Sequence, residues 1–247
     1  VGFPIDNRVR SEIAHAKFLI AHDAGEVWNW ETPAGKLRWH RRAKMLLSNI
    51  SPALRVLEIG CGTGYLTKEL AKTSAFVTAI DISRDLLREA KTFAQSREIR
   101  YSVSNAYMLA FGDRSFDTIV GSSVLHHLDI EKTLREFYRV LRPGGKIAFT
   151  EPNMLNPQIM VQKNIPWIKK ACGDSPDETA FFAWRLKRML IKHGFTDISI
   201  RPFDFLHPQI PAWFLPAFKP LCAAAERIPG VREIAGSLYI RARRPVL

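Results

Sequence analysis

The sequence predicts an α/β fold, a mostly parallel sheet with helices on both faces, from three observations. From Leu54 onward, short apolar runs alternate with amphipathic stretches across short loops, which is the pattern of strands joined by crossover helices. The first run passes directly into "VLEIGCGTGYLT", residues 56–67, and a glycine-rich turn between strand and helix leaves room for a ligand over the backbone. At 247 residues, with 47% hydrophobic and 24% charged residues, the chain suits one domain with insertions and a sizeable core.

The first strand is read over Leu54 to Ile59, with a helix from Tyr65 to about Lys72 after the glycines. Ala75 to Ile80 makes the second strand. A helix from Ser83 to about Ala94 follows, with Ser83 as its cap and Leu86, Leu87, Ala90 and Phe93 as its apolar face. Ile99, Tyr101 and Val103 alternate as a third strand should, and Phe116 to Gly121 is the fourth. Ile130, Leu134, Phe137 and Leu141 recur at spacings of four, three and four, and Pro143, Gly144 and Gly145 stop that helix before a fifth strand, Lys146 to Thr150. "FTDISIRPF" and "GSLYIRAR" complete the sheet.

A single domain over 1–247 is expected, its core formed by 51–151 plus 194–204 and 236–244. The stretches 1–50, 152–193 and 205–235 fall outside that pattern. Insertions in open sheets gather over the strand ends where ligands bind, so these three are candidates for a substrate cap.

The formal net charge is +12, which would favour an anionic partner if the cations were clustered. They are mostly spread, with denser groups at Arg38, Arg41, Arg42 and Lys44, at Lys169 and Lys170, and at Arg241, Arg243 and Arg244; solvated helix faces and a charged last strand are expected. Cys61, Cys172 and Cys222 are too far apart for a metal knuckle and odd in number, so neither a metal site nor a disulfide framework is expected. A reducing cytoplasm fits this usage. Asp6, Arg8 and Arg10 interrupt the first residues, and no stretch reaches the roughly 18 uncharged apolar residues of a membrane span.

Two cofactors compete for the glycines. A dinucleotide site has G-x-G-x-x-G, whereas here Gly60, Gly62 and Gly64 are followed by Tyr65. Asp81, about 20 residues on, suits a ribose hydroxyl in either case. Glu58 separates them, because a carboxylate beside the first glycine repels a pyrophosphate but suits an ammonium group. S-adenosylmethionine has an ammonium, a sulfonium and a ribose diol, and no phosphate.

Val56 to Asn153 resembles a class I S-adenosylmethionine-dependent methyltransferase of the type 11 small-molecule group. The matching pieces are "VLEIGCGTGYLT", "VTAIDIS", "SNAYMLAFGDRSFDTIVGSSVLHHL" and "LREFYRVLRPGGKIAFTEPN". The resemblance implies a seven-stranded Rossmann-like methyltransferase sheet, mostly parallel with one antiparallel strand near the C-terminus, and S-adenosylmethionine as cofactor. It also implies that Gly60, Cys61 and Gly62 pass under the methionine portion, Glu58 accepts from its ammonium, and Asp81 takes the ribose hydroxyls. Ile82 would lie against the adenine, Asn105 and Ala106 would border its edge, and Ser122 would meet the methionine side. Where the family usually has Asp this chain has Asn105, whose carbonyl oxygen still accepts.

Methyl transfer is an in-line displacement, so the protein must mainly align the acceptor and exclude water. A hydroxyl acceptor also needs a base. His126 and His127 follow the fourth strand and are candidates for it, with packing as the alternative for either. Glu151, ending the fifth strand, is placed to orient such a His or face the acceptor, or else to cap the next element. In "EVWNWETPAGKLRWHRRAKML", Trp28 and Trp30 read as lid contacts and Arg38 as a partner for an acidic substrate group, while Trp39 reads as packing. "FLHPQIPAWFLPAFKPL", residues 205–221, reads by default as core packing of an insertion, with an apolar pocket or peripheral membrane contact as the alternative.

The expected activity is methylation of an oxygen, or a nitrogen, of a small hydrophobic, lipid-linked or sugar-containing molecule. Nucleic-acid methylation is the enzyme alternative, disfavoured because "SSVLHH" stands where base-amine enzymes carry an "NPPY"-like turn. A non-catalytic cofactor-binding protein is the other alternative.

Overall fold

In the computed structural model, residues 7–22, 24–175 and 177–246 are described. Three helices lead the chain: α1 (Asn7–Ala21), the short α2 (Ala24–Val27) and α3 (Pro33–Leu47). Then β1 (Arg55–Ile59), α4 (Tyr65–Leu70), β2 (Phe76–Asp81), α5 (Arg84–Phe93), β3 (Ile99–Val103) and β4 (Phe116–Ser122) alternate. The remainder is α6 (Ile130–Val140), β5 (Leu141–Pro152), α7 (Pro157–Asn164), α8 (Pro166–Ala171), α9 (Ala183–Lys192), β6 (Thr196–Phe203), α10 (Leu215–Ala225) and β7 (Ser237–Arg243).

The seven strands form one sheet in the order β3-β2-β1-β4-β5-β7-β6. Six run the same way, and β7 lies antiparallel between β5 and β6. The order reverses between β1 and β4, and the crevice at the carboxyl ends of such a pair is where ligands bind in open α/β sheets.

The strand period of two sends neighbours to opposite layers. Leu57, Ile59, Ile119 and Phe149 pack under α6 and α9 with Phe137 and Leu190. Val56, Val77, Val120 and Ala148 face the other way, against Leu46 of α3, Leu66 of α4 and Ala90 of α5. Ser83 caps α5 by accepting from Leu86 N, and Asp129 caps α6 by accepting from Lys132 N, each worth about 1 kcal/mol.

Four expectations are corrected. The helix read through Leu141 ends at Val140: Leu141 already pairs with Phe116, and Pro143, Gly144 and Gly145 form the irregular start of β5, where Gly144 takes a φ of +79°. Phe93 is not core but exposed beside Tyr65, with the Lys68 ammonium over its ring. Two arginines read as solvated are buried: Arg244 donates to the carbonyls of Tyr138 and Leu141 at the end of α6, and Arg42 lies against Asp204 and Ser237. Residues 205–221 do not pack as core throughout. Leu206 and Leu215 are buried against Ala34, but Trp213, Pro216, Ala217 and Leu221 are exposed.

Candidate functional site

A cavity of about 470 Å³ opens at the carboxyl ends of β1, β2 and β4, a volume that suits a small-molecule site. Its floor is the glycine turn. Gly60 has a φ of +61°, and a side chain there would begin 2.3 Å from Val124 Cγ2, so both backbone angle and space demand glycine. At Gly62 (φ +54°) an added Cβ would instead reach the Trp28 ring at 3.4 Å, filling part of the cavity.

Glu58, Gly60, Cys61, Gly62, Asp81, Ile82, Asn105, Ala106 and Ser122, named in the sequence from separate motifs, all line this one cavity. Asp81 ends β2 and is tied to the turn: Oδ2 accepts from Gly62 N at 3.0 Å and Oδ1 from Ser83 N at 2.8 Å. Each oxygen keeps a lone pair for a ligand. Burial raises the Asp81 carboxyl above its ordinary range despite these bonds. Glu58 is more extreme. It accepts from Thr67 Oγ1 at 2.7 Å, but burial, reinforced by Asp81, pushes it up to about 8. Two buried acids next to each other in a cavity favour a cation. Asn105 Oδ1 already accepts from Tyr107 N at 2.9 Å, and Ser122 Oγ lies 3.0 Å from Thr150 Oγ1.

Across the cavity from the glycines stand residues of the leader. Trp28 and Trp30 line it as expected, and so does Trp39, which also meets Tyr65 edge-on. Arg38 lines it too, but its Nε donates to Asp204 Oδ2 at 2.9 Å, so its charge is already paired. Arg42 shares that aspartate. Full burial lowers its guanidinium to about 10.

The two histidines differ. Glu151 is fully buried and does not line the cavity, correcting its expectation as a group facing an acceptor. Its Oε1 accepts from the backbone N–H groups of Val124 and Leu125, and its Oε2 from His126 Nδ1 at 2.7 Å. It therefore both holds the turn after β4 and orients His126. His126 Nε2 lies 3.4 Å from Glu178 Oε1. Burial opposes charge on this ring, but the two carboxylates prevail and raise it to about 9, so it stays protonated at neutral pH. His127 is less enclosed; its Nδ1 lies 3.0 Å from Glu12 Oε2. Despite burial, His127 and a hydrogen bond from Ser175 hold Glu12 below its ordinary range.

Glu12, His15 and Glu178 line the same end of the cavity, and sequence reasoning missed them. They come from α1 and from the segment before α9, where no motif marks them. His126, His127 and Glu178 each offer a donor atom within 4.8 Å of the others, an arrangement able to hold an ion. Here Lys163 already supplies the cation, bonded to Glu178 and, at 2.9 Å, to Asp174 Oδ2. Of the three stretches expected to cap the site, 1–50 and 152–193 contribute walls, whereas 205–235 contributes none.

Residues 57–149 match the family model described as a methyltransferase domain. The chain is 34% identical over 186 residues to the demethylmenaquinone methyltransferase of Corynebacterium glutamicum (strain ATCC 13032), covering 68% of this chain and 78% of that one. It is 31% identical over 134 residues to the ubiquinone biosynthesis O-methyltransferase of Coxiella burnetii, covering 51% of this chain and 57% of that enzyme. In fold it is similar to the N-methyltransferase NodS of Bradyrhizobium japonicum, solved with S-adenosyl-L-homocysteine: TM-score 0.63 at 18% identity, over 97% of this chain and 100% of that one. The chain belongs to the class I S-adenosylmethionine-dependent methyltransferases, enzymes that use S-adenosylmethionine as the methyl donor.

Proposed function

We propose that the enzyme methylates a hydroxyl oxygen on a small, largely apolar ring-bearing molecule, with His127 as general base. One observation carries this reading: a single cavity runs from the glycine turn to the His127–Glu12 pair, with Trp28 and Trp30 in its wall.

The donor's residues fit by chemistry. Asp81 retains acceptor capacity for a ribose diol, Glu58 is a buried acid suited to an ammonium, and Gly60 and Gly62 keep side chains out of the floor. Ile82, Asn105 and Ala106 border the space for adenine, and Cys61 and Ser122 the methionine side. S-adenosylmethionine supplies an activated methyl on sulfonium, so the chain's contribution is alignment and dryness, worth as much as about 7–11 kcal/mol in well-oriented cases.

His127 is preferred over His126 because His126 is enclosed between Glu151 and Glu178, whereas His127 is less buried in the cavity wall beside Glu12. His126 carries its proton up to about pH 9 between Glu151 and Glu178. Glu12 Oε2 lies 3.0 Å from His127 Nδ1, placed to orient the ring toward the acceptor. Glu151 acts through His126 and the β4 turn as a positioning residue. One relative is named as an O-methyltransferase of ubiquinone biosynthesis and another as a demethylmenaquinone methyltransferase, names that favour a quinone-type ring as acceptor, the first of them an oxygen. The segments 1–50 and 152–193 act as the cap over this acceptor.

Labelled-methyl transfer to a panel of isoprenoid quinols, simple phenols, alkyl amines and RNA tests this. Turnover with hydroxylated rings that falls in His127→Ala is expected. Turnover with amines or RNA alone would overturn it.

A further inference from the structure

We infer that α10 and the basic groove beside it form a docking surface for an anionic phospholipid bilayer. The inference extends the acceptor class proposed above and rests on that reading only for what the docked enzyme methylates.

A surface helix ordinarily turns its apolar stripe inward and its polar residues out. α10 does the first and not the second. Leu215 and Cys222 face inward, where they pack with Ala34 and Leu206. On the opposite side, Ala217, Leu221 and Ala224 recur at spacings of four and three, with Trp213 four residues before and Ile228 four after. All five are exposed and none can ionise; Trp213 is 79% exposed and Leu221 61%. An uncharged stripe ending in a tryptophan suits the boundary between headgroups and acyl chains.

Charge complementarity selects the occupant. On one flank of the helix a groove is lined by Arg38, Arg41, Arg201, Lys219, Arg227 and Arg232, against only Asp204 and Glu226. Asp204 pairs with Arg38 and Arg42, Glu226 with Arg41, and Glu233 with Arg232, so the cations beyond these pairs are Arg201, Lys219 and Arg227. A surplus of cations next to an apolar stripe fits phosphate headgroups lying over acyl chains. No helix among the described residues is long and apolar enough to cross a membrane, so the contact is interfacial. Arg38 lines both this groove and the catalytic cavity, so the groove adjoins the cavity at that side chain.

Flotation of the full chain with vesicles of phosphatidylglycerol, of phosphatidylcholine, or of their mixture tests the surface. Binding to the anionic vesicles, weak binding to neutral ones and loss at high salt are expected. Lys219→Gln with Arg227→Gln should weaken anionic binding about 25-fold, at roughly fivefold per cation. Trp213→Ser with Leu221→Ser should reduce binding to the mixed vesicles at least tenfold. All four positions lie outside the catalytic cavity, so S-adenosylhomocysteine affinity by calorimetry should be unchanged in both variants. That separates failure of docking from failure of the donor site. Equal binding to neutral and anionic vesicles, no binding to either, or a stable dimer in light scattering that Leu221→Ser converts to monomer would overturn the inference.

Discussion

Glu58→Gln isolates the electrostatic cost that the donor site carries before its ligand arrives. The carboxyl is pushed from an ordinary 4.5 to about 8 by burial, with Asp81 adding to it. Because the folded state holds the proton more tightly than the unfolded one, this group's contribution is full below pH 4.5 and is lost as pH rises toward 8. Between pH 5 and pH 7 the unfolded carboxyl finishes ionising while the folded one stays protonated. That difference amounts to roughly 2 to 3 kcal/mol at 1.36 kcal/mol per pKa unit. Urea unfolding followed by tryptophan fluorescence should therefore show the wild-type chain losing roughly 2 to 3 kcal/mol relative to Glu58→Gln over that interval. The other titrating groups cancel in the comparison. Saturating S-adenosylhomocysteine, whose ammonium favours the ionised carboxylate, should shrink the difference. Parallel pH profiles for the two proteins, with and without ligand, would refute the idea that Glu58 is a desolvated acid waiting for a cation.

Three further outcomes follow from the same geometry. Asp81→Ala should weaken S-adenosylhomocysteine binding about 10- to 150-fold by calorimetry, since a charged hydrogen bond is worth about 1.5–3 kcal/mol; it also frees Gly62 N and Ser83 N, so a modest fall in stability should accompany it. His127→Ala should lower turnover of a hydroxyl acceptor about 100- to 10,000-fold while leaving donor affinity within twofold, a split read by activity beside calorimetry. Gly60→Ala combines a left-handed φ with a 2.3 Å approach to Val124 Cγ2 and should cost more than about 2 kcal/mol in chemical denaturation; wild-type stability there would show that the turn relaxes freely.

The core strands and the glycine turn were legible because both are local. A strand's period of two, a capped helix and a glycine turn are each written within a dozen residues, so β1 to β5 and the spacing from Gly60 to Asp81 could be read directly. The end of α6 was misplaced because Leu141 continues the helical period, but it pairs with Phe116 25 residues earlier, a contact that no local pattern records. Phe93 was misread for a similar reason. It falls on the apolar stripe of α5, but that stripe outruns the neighbour it packs against.

The acceptor half was hidden because its parts are distant. Glu12, His127 and Glu178 meet from three separate segments, and no local pattern records that meeting. What the sequence by itself determined was the alternation that makes the sheet and its glycine turn, since local periodicity writes both, while the resemblance carried by the motifs from Val56 to Asn153 added the donor. What only the tertiary structure decided was that His126 is enclosed between two carboxylates, that Glu151 is buried behind the turn after β4, and that α10 turns an apolar face outward. Burial and charge proximity are sums over the whole fold, and no short stretch of chain contains them.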